Sequence, residues 1–250
     1  SLSGRVKEIY QEGIRITPTR ICEKGVMNQA VLDALFNNMR GPEERIGDFN
    51  AMLGTGRKAA EHLARLFQRF GGDGLLDGVE ALIQRSERQM RSRISECPDG
   101  DYYAEGYIES DGSNPEPLVC RLKLSVDGDT ISADFSGTSS QTNGPTNCGP
   151  AMAFNAVGTI VKAFLDPKTP INHGSFNPIS VNAPEKSFIN ARETAPCGGM
   201  AEVKFLIDSV VAAAMGQVVP EMSVGDLKGG ANHIHIAGPR NDGSTYIHYE

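Results

Sequence analysis

No apolar run in this 250-residue sequence approaches the roughly 20 residues that a membrane-spanning helix needs. No basic stretch followed by an apolar core opens the chain either. A membrane-embedded or exported protein is therefore not expected, and a cytoplasmic one is. Cysteine is sparse: Cys22, Cys97, Cys120, Cys148 and Cys197 form an odd set without a CxxC pair. That pattern argues against a disulfide framework and against a thiolate zinc site. The basic residues are spread out and the net charge is −7, so nucleic acid is not an expected partner. No Walker-type phosphate loop occurs, so the chain offers no P-loop of its own. An initiator Met is also lacking: the chain starts SLSGRVKEIY and ends on HYE within a strand-like alternation. The expectation is a segment of a longer protein.

What is present is an ordinary globular balance, 39% hydrophobic and 22% charged, enough for one large domain or two small ones. The most informative stretch runs from Asp134 to Ile179. It reads as a strand end, a loop rich in Gly, Ser, Thr and Asn, an apolar helix, and a second turn-rich loop. Gly137, Gly144, Pro145, Gly149 and Pro150 fix the loop's shape. Between them stand Ser136, Thr138, Ser139, Ser140, Thr142, Asn143, Thr146 and Asn147, a dense supply of uncharged donors and acceptors. Pro150 begins AMAFNAVGTIVKAF, with Met152, Ala156, Ile160, Val161 and Phe164 at helical spacing. The helix N-terminus then points back at the polar loop, a geometry suited to an anion or a carbonyl oxygen. The alternative is a structural loop whose hydroxyls bond only their own backbone.

The rest of the chain divides into three expected parts. Residues 1–25 read as an extended lead-in, in which Glu12, Arg15 and Arg20 form a charged cluster. Residues 26–95 read as a helical subdomain with apolar stripes Val31/Leu32/Leu35/Phe36, Leu63/Leu66/Phe67/Phe70 and Leu75/Leu76/Val79/Leu82/Ile83. Gly71 and Gly72 are expected to stop the second helix, with Gly74 in the connection. Between the first two helices, residues 37–56 read as a loop in which Arg40, Glu43, Glu44, Arg45 and Asp48 crowd together. Two readings stand there: a buried or half-buried polar network, or an Arg that grips a substrate.

Residues 96–250 read as an α+β domain. An antiparallel meander turns at Pro98–Asp99–Gly100, Asp111–Gly112 and Asp127–Gly128 and delivers the chain to the polar loop. Asp134, at the strand end, reads as a cap for Ser136 or as a catalytic carboxylate. Ile179/Val181 and Phe188/Ile189 read as short strands, and 201–219 as a deeply buried helix. Cys197 before two glycines reads as an inert thiol or as one activated at a helix N-terminus. His233, His235 and His248 on a terminal hairpin offer an unaccompanied candidate metal set, and no metal ligand is assigned. The fold class is α+β: a small helical subdomain plus a mainly antiparallel sheet with two buried apolar helices.

Taken together, YQEGIRITPTRI (10–21), NNMRGPEERIGDF (37–49), FGGDGLLDGVEALIQRSERQMRSRI (70–94), CPDGDYYAEGYIESDG (97–112), ADFSGTSSQTNGPTN (133–147) and LDPKTPINHGSFNPISVNAP (165–184) resemble the hydantoinase B/oxoprolinase family. The DGSTYIHYE end (242–250) fits the same pattern. The resemblance covers almost the whole chain in order. It implies the B-type catalytic subunit of an ATP-dependent hydrolase of cyclic amides, or a subunit of a ketone carboxylase of the acetophenone or acetone type. A third reading is a non-catalytic scaffold that docks the A-type subunit. The resemblance further implies a hetero-oligomer with an A-type subunit that holds ATP and Mg, and a divalent metal, Zn or Mn, upstream of these residues. Under it, Asp134, Asn143 and Asn147 are candidate catalytic residues. Arg40, Asp48, Ser136, Thr138 and Asn172 are candidates for binding a small cyclic amide.

Overall fold

The computed structural model describes residues 5–111, 114–225 and 234–249. In chain order the described residues form β1 (Cys22–Glu23), β2 (Val26–Met27), α1 (Gln29–Phe36), α2 (Pro42–Phe70), α3 (Gly72–Ile94), β3 (Gly100–Ile108), β4 (Leu118–Asp127), β5 (Thr130–Asp134), α4 (Pro150–Leu165), β6 (Ile179–Asn182), α5 (Met200–Val218), β7 (His235–Pro239) and β8 (Thr245–Tyr249). Contacts divide them into two compact units, Ser1–Gly13 with Val79–Ala231, and Ile14–Gly78 with Asn232–Glu250. None of these helices is long and apolar enough to cross a membrane.

The second unit holds the β1–β2 and β7–β8 hairpins, α1, α2 and the start of α3. Its largest departure from expectation is α2. Residues 42–56 are not loop but the first turns of a 29-residue helix. Gly41 takes a left-handed φ of 64° and Pro42 opens the helix. Glu43 and Glu44 lie in its first turn and Arg69 in its last, matching the helix dipole at both ends. Ala51, Met52, Leu53, Arg57 and Lys58 favour the helix enough to carry Gly47, Gly54 and Gly56, each costing about 1 kcal/mol. The charged cluster is consequently not a buried network. Arg45 bonds Asp48 at 3.0 Å with side chains 51% and 67% exposed, because i,i+3 spacing sets both on the helix surface. Gly71 alone, at φ 72°, ends α2, and Gly74 is already inside α3.

The first unit is built on a four-stranded sheet ordered β3–β4–β5–β6. The first three strands are antiparallel, and β6 runs parallel to β5. Parallel pairing follows from connectivity, since the chain between β5 and β6 passes through α4. Alternation in β4 turns Cys120, Leu122, Leu124 and Val126 to the core and Arg121 to the other face. On the core face lie α4 and α5, which pack on each other, with α5 also on β3 and β4. α5 buries residues all round, Val203, Leu206, Ile207, Val210, Val211, Ala214 and Met215 among them. Met90 and Ile94 from the end of α3 are fully buried in the same core. Phe188 and Ile189 are also fully buried, yet they sit in a turn-rich segment rather than a strand; the neighbouring bridge is Ser140 to Ser187. The expected α+β class, with two buried apolar helices over a mainly antiparallel sheet, is what the chain forms.

One buried ionic group sits under this core. Lys162 on α4 bonds Asp166 and, at 2.6 Å, Thr169, and Thr169 donates to Asp166. Burial raises the Asp166 carboxyl, but the Lys162 and Thr169 hydrogen bonds outweigh that and hold it below the ordinary carboxylate value.

Candidate functional site

The polar loop is clamped along its length. Phe135 is fully buried at its start. Thr138 Oγ1 accepts from Arg121 N–H at 3.1 Å, and Ser139 N–H donates to Val119 O at 2.9 Å, so the loop continues the sheet beyond β5. On its other side, Gln141 N–H donates to Lys186 O and Cys148 N–H to Phe188 O. Gly144 approaches Asp111 so closely that a Cβ would lie 3.0 Å from the Asp111 carbonyl oxygen. The loop ends at the start of α4, and Gly199, preceding α5, donates its N–H to Pro145 O at 2.9 Å. Both buried helices thus begin at this loop.

The turn before α5 is held from within the chain. The Glu12 carboxylate accepts from Cys197 N–H at 2.9 Å and from Gly198 N–H at 2.5 Å. These two N–H groups precede Gly199, the N-cap of α5, so Glu12 braces the turn that leads into the helix. Glu12 is therefore more than a member of a surface cluster, and Arg20 pairs instead with Glu23. Burial, and the nearby Glu12 charge, raise the Cys197 thiol above its ordinary value, which matches the inert reading. Burial raises Cys120 and Cys148 to about 12.

The loop's side chains divide by what they touch. Asn147 is fully buried. Its Nδ2 donates to Gly144 O at 2.8 Å, Pro196 O at 2.9 Å and Thr142 O at 3.2 Å, and its Oδ1 accepts from Thr142 N–H at 2.9 Å. Thr142 Oγ1 closes onto Gly144. Asp134 Oδ1 accepts from Ser136 N–H at 3.1 Å, Ser136 Oγ at 2.8 Å and Asn182 Nδ2 at 2.8 Å. The Ser136 hydroxyl, with Asn182 in support, holds its carboxyl below the ordinary range, so it is an ionised acceptor in the manner of a cap. Ser136 also lines a shallow pocket of about 310 Å³ with Tyr103, Glu105, Arg121 and Lys123. Most of the loop's hydroxyls and amides are thus engaged by the chain itself.

Asn143 and Ser140 differ. Both are exposed and line a cleft of about 430 Å³ together with Asp111, Asn114, Gln141 and Thr142. Asp111 is buried and accepts from Asn114 N–H at 2.6 Å and Asn114 Nδ2 at 2.9 Å. Asn172 lies elsewhere: its Oδ1 accepts from Gly174 N–H at 3.0 Å and its Nδ2 donates to Ser86 Oγ at 2.8 Å, tying a short 3₁₀ turn to α3. Arg40 and Asp48 are exposed residues of the second unit. The six candidates of the first unit are therefore not one cluster. A sequence-local cue marks Asp111 only as a turn residue, and nothing local marks Glu12, whose partner is 185 residues away.

Among the described residues no three His, Cys, Asp or Glu converge to hold a metal. His233 lies outside them. His235 and His248 fall on β7 and β8 one register position apart, His235 facing Tyr249 and His248 facing Ile236 along the backbone.

These features define an α+β domain in which two buried helices spring from one internally braced, amide-rich loop. The family model for hydantoinase B/oxoprolinase matches residues 1–250, and the chain belongs to that family. It is 30% identical over 236 residues to the putative B-type component of a D-/L-hydantoinase from Pseudomonas sp. (strain NS671), covering 88% of this chain and 40% of that protein. It is 28% identical over 245 residues to the caprolactamase beta chain of Pseudomonas jessenii, covering 96% and 42% respectively. The crystal structure of the ATP-dependent caprolactamase from Pseudomonas jessenii superposes with a TM-score of 0.87 at 26% identity, over 98% of this chain and 42% of that one. A nucleotide-free acetone carboxylase structure gives a TM-score of 0.88 at 12% identity, over 100% and 35%, a likeness of fold alone. The chain spans less than half the length of these relatives.

Proposed function

We propose that these residues form part of the B-type catalytic subunit of an ATP-dependent cyclic-amide hydrolase that works with an A-type partner. Family membership supports the class, and the names of the hydantoinase and caprolactamase relatives support a ring amide as substrate and a second subunit. An unstrained lactam is a poor electrophile. ATP, held on the partner with Mg, would transfer a phosphoryl group to the amide oxygen and release ADP. Water would then add to the activated carbon, the ring C–N bond would break with the amine leaving, and hydrolysis of the resulting acyl phosphate would release phosphate. The divalent metal that the resemblance implies lies upstream of these residues in this proposal, and no step is routed through it.

The single observation that carries the site is the exposure of Asn143 and Ser140 at the cleft while the rest of the loop is tied down. A donor fixed by a rigid loop loses little on meeting a developing oxyanion. Asn143 is the proposed carbonyl-binding donor. Asn147 and Asp134 are proposed as positioning residues that hold the loop, with Ser136 and Thr138 completing its brace. Asn172 braces its own 3₁₀ turn against α3, away from this loop, and Arg40 and Asp48 remain proposed substrate-orienting residues of the other unit. The carboxylase reading rests on fold likeness alone, so the hydrolase reading is preferred.

The test is the complete subunit with its A-type partner, assayed with ATP on hydantoin, 5-oxoproline and caprolactam, and on acetone with bicarbonate. Asn143→Ala is expected to lower turnover about 10²-fold without changing melting temperature or co-purification. Unchanged turnover refutes the donor role. Loss of co-purification instead supports a docking scaffold, and bicarbonate-dependent acetone turnover supports a carboxylase.

A further inference from the structure

The side-chain amides at and beside the cleft of about 430 Å³ are spent, with one exception. Asn114 Nδ2 donates to Asp111 at 2.9 Å. Gln141 pairs edge to edge with one backbone residue: its Oε1 accepts from Arg192 N–H at 2.9 Å, and its Nε2 donates to Arg192 O at 3.5 Å. Asn147 is consumed inside the loop. Among the described residues nothing bonds the Asn143 carboxamide, neither its Oδ1 nor its Nδ2.

The backbone that carries Asn143 is held on both sides. Thr142 N–H donates to Asn147 Oδ1 at 2.9 Å, and Gly144 N–H donates to Thr142 Oγ1 at 3.0 Å; both flanking residues are buried. Only the side-chain torsions of Asn143 are left to fix on binding. Pro115, Pro117 and Leu118 give the same cleft an apolar wall. A planar carboxamide presents one acceptor and one donor on a single edge. A ring too small to hold a trans amide presents the matching edge, its C=O and N–H side by side. An open-chain secondary amide keeps them on opposite sides, and its cis form is about 10²-fold rarer.

Resting on the hydrolase reading above, we propose that Asn143 reads both halves of the ring amide. Its Nδ2 donates to the carbonyl oxygen while its Oδ1 accepts from the ring N–H, and the ring methylenes lie against the prolines. The substrate class is then a small ring whose reacting amide carries N–H. N-substituted lactams, cyclic ketones and open-chain amides are selected against. Ser140, also exposed at the cleft, cannot stand in, since its hydroxyl offers donor and acceptor on one atom rather than along an edge. The paired contact takes one lone pair of the carbonyl oxygen and leaves the other for the incoming phosphoryl group.

The complete subunit with its A-type partner is titrated with caprolactam, N-methylcaprolactam and cycloheptanone, and binding is read by ligand-observed NMR. All three share the ring size and the carbonyl, and the last two lack the N–H. Caprolactam should bind about 10-fold tighter than either, the worth of one hydrogen bond beside an otherwise unpaired Oδ1. Asn143→Asp turns the donor half of the edge into a second acceptor. It should weaken caprolactam about 10-fold and strengthen the seven-membered cyclic amidinium, whose edge carries two donors, by about the same factor. The N-methylated amidinium has the same charge with one of those donors removed and should gain much less. A gain shared equally by both amidinium ions would reflect charge alone and overturns the pairing. If Asn143→Asp does not fold, the titrations of the parent decide. No binding of caprolactam by the parent, or equal binding of the three neutral rings, also overturns it. The two readings separate cleanly. Lowered turnover in Asn143→Ala with equal binding of the three rings keeps the carbonyl donor and removes the paired edge, whereas unchanged turnover in Asn143→Ala removes both.

Discussion

At the scale of single residues, Asn143 and Asn147 show how one residue type serves two ends. Four positions apart on one loop, one amide is open to a cleft and the other is spent on five bonds inside the chain. Removing a buried amide leaves carbonyls and an N–H without partners. Asn147→Ala is therefore expected to cost about 3 kcal/mol of stability, and Asn143→Ala within about 0.5 kcal/mol of nothing. Asn147→Asp, which keeps the shape but loses both donors, should cost at least as much as the alanine variant. Urea denaturation of the three variants checks the ordering; equal stability of Asn147→Ala and Asn143→Ala would remove the bracing role. Nothing in local sequence separates the two, since both stand in a Gly- and Pro-punctuated run. Burial decided between them.

At the scale of elements, α3 and the 3₁₀ turn at His173–Phe176 form the tightest junction in the first unit. A Cβ on Gly174 would stand 1.9 Å from the Ile83 carbonyl oxygen and 3.1 Å from Glu87 N. Both are helix backbone and cannot yield. Gly174→Ala is expected to cost about 2 kcal/mol or more, read as a fall in melting temperature. A melting curve unchanged by that substitution would mean the turn does not rest on α3. The same junction carries Asn172 to Ser86 and Asn177 to Glu87, at 2.8 and 2.7 Å. The Asn177 bond, reinforced by Arg91, holds the Glu87 carboxyl below its ordinary value. In α2, by contrast, no described residue is buried. Its helical character was masked in sequence by Gly47, Gly54 and Gly56, whose summed cost is outweighed by the residues between them.

At the scale of the whole molecule, acid should weaken the fold through its buried and capped carboxylates. Asp134 and Asp166 are both held below their ordinary value. Their stabilisation is therefore complete above the unfolded value of about 3.9 and is lost as pH falls through the lowered folded values. The melting temperature should be flat on their account from about pH 5 to 7 and should fall below about pH 4. Asp166→Asn should shrink that acid loss, and at neutral pH should cost about 3 kcal/mol by leaving Lys162 buried without a counter-charge. An unaltered acid limb in this variant would show that the ion pair does not set it.

Residue order alone was enough to read the α+β class, the meander, the two apolar helices and the family resemblance. Those depend on period, turn chemistry and order along the chain. Contacts in space alone settled that Glu12 braces the turn before α5 from 185 residues away, that Asn147 faces inward, and that β3 lies at the edge of the sheet among the described residues. Each of those depends on which groups find partners in space, and partner choice between distant residues leaves no local periodic signal.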